Sequence, residues 1–442
     1  MPPNRPPFLQ RLGLDRPELR AWAMYDLANS AFATTVVSAV FPIYFSSVAA
    51  ADLPGPVATA RFATATAIAL GLVALVAPFL GPLADAAAMK KKLLGGFLAL
   101  GIGATAGMFL IHRGDWLLGA GLFIFANVGF AATLVFYDSL LPHIVRPGEI
   151  DRVSSAGYAV GYLGGGVLLA INLAWIQFPG AFGMADAAAG SRWSFLSVAV
   201  WWLLFSVPLF RRVPEPPRAA AAGEGGQFSP VGGALRRFRM TLRDLRAYPQ
   251  AFLFLIAFLI YNDGIGTIAR MAAAYGTELG IGQGVLIGSI LMVQFIGVPF
   301  AFLFGGLAAR IGAKRGIFLA LAVYACVSVL GYFMKTATHF VILAVLVGMV
   351  LGGSQALSRS LFASMIPRQR SAEFFAFFAV FEKLAGILGP AVFAGTLTLT
   401  GSSRNAILAI IAFFFVGGGL LVFVNVPEGQ RLAREAEREL GG

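Results

Sequence analysis

Hydrophobic residues run along this chain in long unbroken blocks, with neither the alternation of barrel strands nor the single stripe of a soluble helix. A helix crossing a bilayer needs roughly 20 mostly apolar residues. Twelve blocks reach that length, at residues 21–49, 61–82, 93–111, 115–141, 153–178, 193–211, 250–277, 283–308, 316–334, 339–365, 371–398 and 404–427. The pattern predicts an all-α integral membrane protein with twelve transmembrane helices. Glycine recurs within the blocks; it weakens soluble helices but lets membrane helices approach closely. The first 20 residues are Pro- and Arg-rich and lead into a long block with no evident cleavage site. The first block is therefore expected to stay as a span rather than leave as a signal peptide.

Basic residues orient the bundle. With the N-terminus inside, 25 Lys and Arg fall in the inner loops and tails, and 5 (Arg61, Arg113, Arg192, Lys335, Arg404) in the outer ones. The bias predicts both termini in the cytoplasm. Composition narrows the class further. Of 442 residues, 58% are hydrophobic and 12% charged, about half the charge of a soluble protein. That excludes a soluble enzyme and a disordered chain. The net charge of +12 is scattered between apolar blocks, which excludes a nucleic-acid partner. A single cysteine, Cys326, rules out a disulfide framework and any Cys-based metal site.

The chain repeats itself. Gly81-Pro82-Leu83-Ala84-Asp85 with Lys90-Lys91 returns 224 residues later as Gly305-Gly306-Leu307-Ala308-Ala309 with Lys314-Arg315, and Gly165 falls on Gly389. We expect two parallel six-helix repeats, 1–211 and 249–442, joined by a cytoplasmic linker at 212–248. Such proteins hold substrate between their halves and work by rocking. Within the linker, Val231, Leu235, Phe238, Leu242 and Leu245 recur at helical spacing among five arginines. That suits a helix on an anionic membrane surface, or an ordinary solvated one.

No cofactor is expected. Gly101-Ile102-Gly103-Ala104-Thr105-Ala106 fits a dinucleotide fingerprint but lies mid-span, where no strand precedes it. No Walker motif or catalytic constellation is evident, so the chain reads as no enzyme. His112, His143 and His339 sit at loops or span ends without partners at ligand spacing, and read as solvated. Ionisable residues inside spans matter more, because each costs roughly 2.5–3.5 kcal/mol to insert. The expected substrate or coupling-ion pathway is Asp26, Asn29, Tyr137, Asn262, Asp263, Arg270, Gln355, Glu382 and Lys383. For each the alternative is a static ion pair. Asp263 and Lys383 lie at matching depth and are expected to pair, since Glu382, a helix neighbour, points about 100° away from Lys383.

The Gly-x-Leu-Ala-Asp loop with its basic cluster resembles the signature of the major facilitator superfamily. Ala21-Trp22-Ala23-Met24-Tyr25-Asp26-Leu27-Ala28-Asn29-Ser30, Tyr261-Asn262-Asp263-Gly264, Gly353-Ser354-Gln355-Ala356-Leu357-Ser358-Arg359-Ser360, Ala372-Glu373-Phe374-Phe375 and Gly389-Pro390 resemble its autophagy-related vacuolar effluxer branch. Ala86 stands where an Arg or Lys usually follows the acid. The resemblance implies a cytoplasmic gate of Gly81, Asp85, Lys90, Lys91, Asp138 and Arg359. Asp85 would meet the start of span 11, and Asp138 of span 4 would meet Arg359 of span 10 when that side is shut. It implies a secondary active transporter, a monomer in a bacterial inner membrane. Its cargo would be a small molecule, an amino acid or similar zwitterion; the carboxylates within the spans make the proton the expected coupling ion. Sodium coupling and facilitated diffusion are the alternatives to protons. An exporter of hydrophobic drugs or lipids, favoured by 40 Phe, and a non-transporting membrane sensor are the alternatives to the whole reading.

Overall fold

The computed structural model of the chain describes residues 8–217, 247–386 and 388–441. Spans 1–6 are Pro17–Ala49, Ala60–Ala87, Lys90–Leu110, Trp116–Ile144, Ile150–Gln177 and Ala187–Arg212. Spans 7–12 are Pro249–Ala272, Gly284–Ile311, Ala313–Tyr332, Ala337–Ser364, Arg368–Thr400 and Ser403–Val422. All twelve expected blocks are helical, and no strand occurs among the described residues. The basic helix expected at Val231–Arg246 lies outside them.

Local chemistry sets several span ends. Asp186, Thr336 and Ser402 each accept a hydrogen bond from the backbone N–H three residues on, starting spans 6, 10 and 12. Span 2 stops where Ala88 turns left-handed (φ 49°), leaving a two-residue connection to span 3. Side chains such as Leu75, Leu399 and Phe415 point outward, as lipid contact requires.

Two large buried clusters hold the bundle, beside a small third one at Tyr275, Ile281, Leu286, Met334 and Phe340. Trp22, Phe32, Phe41, Phe123, Phe136 and Trp202 lie in one, within spans 1–6. Phe254, Phe258, Tyr261, Tyr324, Phe362 and Phe375 lie in the other, within spans 7–12. Ala372, Ala376 and Ala379 of span 11 join the first cluster, because span 11 begins against spans 2 and 4. Spans 5 and 8 form the second long contact between the two sets. Small residues permit these approaches: a Cβ on Gly161, Gly164 or Gly165 of span 5 would strike Ser30, Leu27 or Thr34 of span 1. Gly101 packs against Gly129 and Trp202, so the dinucleotide-like stretch is a helix crossing.

Three features depart from plain spanning helices. Span 1 is α-helical over Pro17–Ala31 and π-helical over Phe32–Val40, a wide turn often found at functional sites. Span 11 is broken at mid-depth: one helix covers Ser371–Leu384 and a second Leu388–Thr400. Gly386 and Gly389 flank the break, and Pro390 sits in the first turn of the second helix, where its missing N–H costs nothing. Beyond span 12 a helix at Val426–Gly441 buries Ala433 against the ends of spans 7 and 10. Its outer face carries Arg431 paired with Glu428 and Glu435. The described chain ends, Phe8 and Gly441, and residues 212–217 lie at one end of the bundle, called here the linker end.

Candidate functional site

Among the described residues, Arg359 is a charge whose every donor is engaged. Span 10 buries it, and spans 1, 4 and 5 surround its guanidinium. Nε donates to Ser154 Oγ at 2.9 Å, and Nη1 to Asp138 Oδ1 at 3.0 Å and Asp26 Oδ2 at 3.4 Å. Nη2 donates to Asp26 Oδ2 at 3.3 Å and to the Ser154 carbonyl at 2.9 Å. All five N–H donors of the fork are thereby used. Trp22 and Tyr158 present ring faces to it, with centroids at 4.7 and 4.4 Å. Tyr137 donates to Asp26 Oδ2 at 2.8 Å, and Trp22 Nε1 donates to the Tyr137 carbonyl. Asn29 is buried one turn beyond Asp26. The cluster joins spans 1–6 to span 10, and carries two carboxylates against one guanidinium.

A second cluster closes the linker end. Asp85 accepts from the backbone N–H of Ala372 at 3.3 Å and Glu373 at 2.8 Å, the exposed donors of the first helix of span 11. Its charge also suits the positive end of that helix. Lys90 Nζ lies 2.8 Å from Asp85 Oδ1 and donates to Ser371 Oγ at 2.7 Å. Gly81 sits under the same helix start, where a Cβ would meet the Ala372 carbonyl. Lys91, expected in this gate, does not reach it. Its Nζ donates to the Phe210 and Val213 carbonyls and its N–H to Glu215, which ties span 3 to the end of span 6.

The mid-depth pairing differs from the expectation. Asp263 does not face Lys383. Its Oδ2 accepts from Gly389 N–H at 2.7 Å, at the start of the second helix of span 11. Its Oδ1 accepts no hydrogen bond and lies 3.7 Å from Arg270 Nη2. The break in span 11 explains the change: a helix N-terminus inside the membrane presents free N–H donors, and a carboxylate meets that need. Lys383 instead donates to Glu382 at 3.1 Å. Adjacent side chains do diverge by about 100° on a helix, but this helix ends at Leu384, and two long side chains at a helix end can turn together. Nearby, Gln355 donates to Asn262 Oδ1 at 2.7 Å.

Sequence reasoning missed four participants. Ser154 and Tyr158 carry no signal beyond their helical spacing on span 5, and Ser371 and His143 looked like end residues. His143, read as solvated, is wedged at the linker end with Nε2 3.0 Å from Lys90 Nζ and 3.1 Å from Ser371 Oγ. Among the described residues, no cluster of His, Cys, Asp and Glu could hold a metal.

Solved structures share this architecture. A proton:xylose symporter, XylE, superposes with a TM-score of 0.70 at 14% identity, over 95% of this chain and 98% of its own. A bacterial homologue of the iron transporter ferroportin, in an outward-facing state, gives 0.65 at 16% identity, over 92% and 98%. These likenesses show a major facilitator fold. The chain belongs to the family described as "Vacuole effluxer Atg22 like", whose model matches residues 14–434. It is 36% identical to the uncharacterized MFS-type transporter YxiO of Bacillus subtilis, over 91% of this chain and 94% of that protein. It is 24% identical to autophagy-related protein 22 of Pyricularia oryzae, over 95% and 78%. It is thus a multi-pass membrane transporter and not an enzyme.

Proposed function

We propose that the chain moves a small zwitterion, an amino acid or a close analogue, by rocking residues 1–211 against 249–442, with a proton as coupling ion. We place it as a monomer in a bacterial inner membrane, both termini cytoplasmic, which the excess of basic residues at the linker end supports. The observation that carries the reading is the Arg359 cluster: a fully satisfied guanidinium on span 10 latched to spans 1, 4 and 5. A rigid scaffold needs no such latch, since apolar packing would hold the spans at lower desolvation cost. On this reading the Arg359 and Asp85 clusters together are the closed cytoplasmic gate, and the arrangement corresponds to an outward-facing state.

For the substrate, Glu382 and Lys383 offer both signs at mid-depth, partly exposed and paired only with each other. An incoming ammonium and carboxylate can replace that pairing group for group. For coupling, Asp263 Oδ1 accepts no hydrogen bond and lies 3.7 Å from Arg270 Nη2, with the Thr267 hydroxyl close by. A proton there removes the charge that holds Arg270 and frees it for a substrate carboxylate. The drug- or lipid-exporter reading is the alternative; Phe258, Phe362, Phe375 and Phe378 pack on one another in the core of spans 7–12 and so do not serve it.

The test is uptake of labelled amino acids into proteoliposomes under an imposed proton gradient, with thermal stabilisation of the purified protein as the binding assay. Asp263→Asn should keep substrate exchange and lose gradient-driven accumulation. Full proton-driven accumulation by Asp263→Asn would end the coupling assignment. Absence of stabilisation by any amino acid, with stabilisation by lipids or drugs, would end the substrate assignment.

A further inference from the structure

The linker-end cluster contains a titratable group that the latch itself does not require. Lys90 has three N–H donors, and each has an acceptor: Asp85 Oδ1, Ser371 Oγ and His143 Nε2. Ser371 spends its own hydrogen on the Ser139 carbonyl at 2.8 Å, so it reaches Lys90 as an acceptor. His143 Nε2 therefore receives the third Lys90 hydrogen on its lone pair, which leaves the ring proton on Nδ1. In this geometry Nε2 cannot also carry a proton. We propose that His143 is a proton-binding site on the cytoplasmic gate, and that its protonation opens the linker end.

The neighbours fix the sign. His143 of span 4 faces Lys90 from span 3, Arg368 from the turn before span 11, and the neutral Ser371 of span 11. Asp85 of span 2, Glu215 after span 6, Glu373 of span 11 and Glu437 of the Val426–Gly441 helix are the nearby acids, and each is already engaged: Asp85 by Lys90 and the start of span 11, Glu215 by the Lys90 and Lys91 N–H groups, Glu373 by Arg370 and Glu437 by Arg368. A second proton on the ring would meet two cations and no free carboxylate. It would also deprive Lys90 of an acceptor at the point where span 3 touches span 11. When the halves part, water reaches the imidazole, which then titrates near the usual value of about 6.5. Acid on the linker side thus favours the parted state, by up to about tenfold in the open-to-closed ratio per pH unit below that value.

This inference rests on the alternating-access reading, and the experiment separates the two. Spin labels at the exposed positions Lys92 and Arg434, with Cys326→Ala, report the width of the linker end in nanodiscs by pulsed dipolar spectroscopy at pH 7.5 and 5.5. The parent protein should shift toward the longer distance at pH 5.5. His143→Gln, whose amide oxygen still accepts from Lys90 but does not titrate, should stay at the short distance at both pH values; His143→Asn repeats the measurement if Gln does not fold. No shift in the parent, or an equal shift in the Gln variant, overturns the proposal. Asp138→Asn serves as the control that weakens the Arg359 latch. If it lengthens the distance while the parent ignores pH, only the His143 assignment falls. If neither moves the labels, alternating access at this end falls with it.

Discussion

Arg359 carries the tightest argument at the residue scale. Its depth on span 10 was legible because a charge inside a span has few reasons to persist. The matching depth of Asp138 was legible too; the part taken by Asp26 and Ser154 was not, since lateral packing around an arginine leaves no mark on hydropathy. Deleting one member of a buried charge group leaves the others uncompensated, at about 3–5 kcal/mol. Arg359→Ala should therefore lower the melting temperature sharply and abolish transport. Asp138→Asn keeps a carbonyl acceptor and the Asp26 charge, so we expect a smaller loss, on the order of 1–3 kcal/mol. Thermal unfolding of the two purified variants checks the order; equal losses would show that Asp138 and Asp26 do not share the guanidinium. Asp263 teaches the opposite lesson. Its depth matched Lys383, yet depth says nothing of a helix break, and the donors of the break took the carboxylate.

Span 11 is the element on which both sites turn. Its first helix receives Asp85 at its start and its second helix receives Asp263, so one span meets span 2 at the linker end and span 7 at mid-depth. The sequence marks the break only by Gly386, Gly389 and Pro390, in a chain where glycine is frequent everywhere. Position 389 has no room: a Cβ there would fall on the Thr267 hydroxyl and against Asp263 Oδ1. Gly389→Ala should destabilise the protein by about 1–3 kcal/mol, and adding Thr267→Ala should recover part of it. Melting curves of the single and double variants decide this; no recovery would mean that the close contact is not with Thr267. The Val426–Gly441 helix is another element that hydropathy hid, because its stripe is narrow and its surface charged. The Glu428, Arg431, Glu435 spacing was its only trace.

At the scale of the whole molecule, the twelve spans were legible because bilayer thickness imposes a length on every apolar block. The 224-residue repeat makes span 8 the counterpart of span 2 and span 11 that of span 5, and the structure packs span 2 on span 11 and span 5 on span 8. What the repeat could not show is which end is shut. Here the polar contacts joining the two sets, from Asp85 to Arg359, crowd toward the linker end. If the Glu382–Lys383 pair is the zwitterion receptor, Lys383→Met should weaken substrate binding more than it weakens the fold, since only Glu382 loses a partner. Thermal shift with and without substrate separates the two effects. Equal substrate stabilisation in parent and variant would remove Lys383 from the site.

The central claim is that the linker end closes and parts in every transport cycle. Asp151 and Ser360 join spans 5 and 10 there by a side-chain hydrogen bond, so cysteines at both positions, in a Cys326→Ala background, can be joined by a short thiol cross-linker. The cross-linked protein in proteoliposomes should still be stabilised by substrate from the outer side, yet transport nothing, and a reducible linker should restore transport once cleaved. Transport at the uncross-linked rate with the link intact would contradict the account.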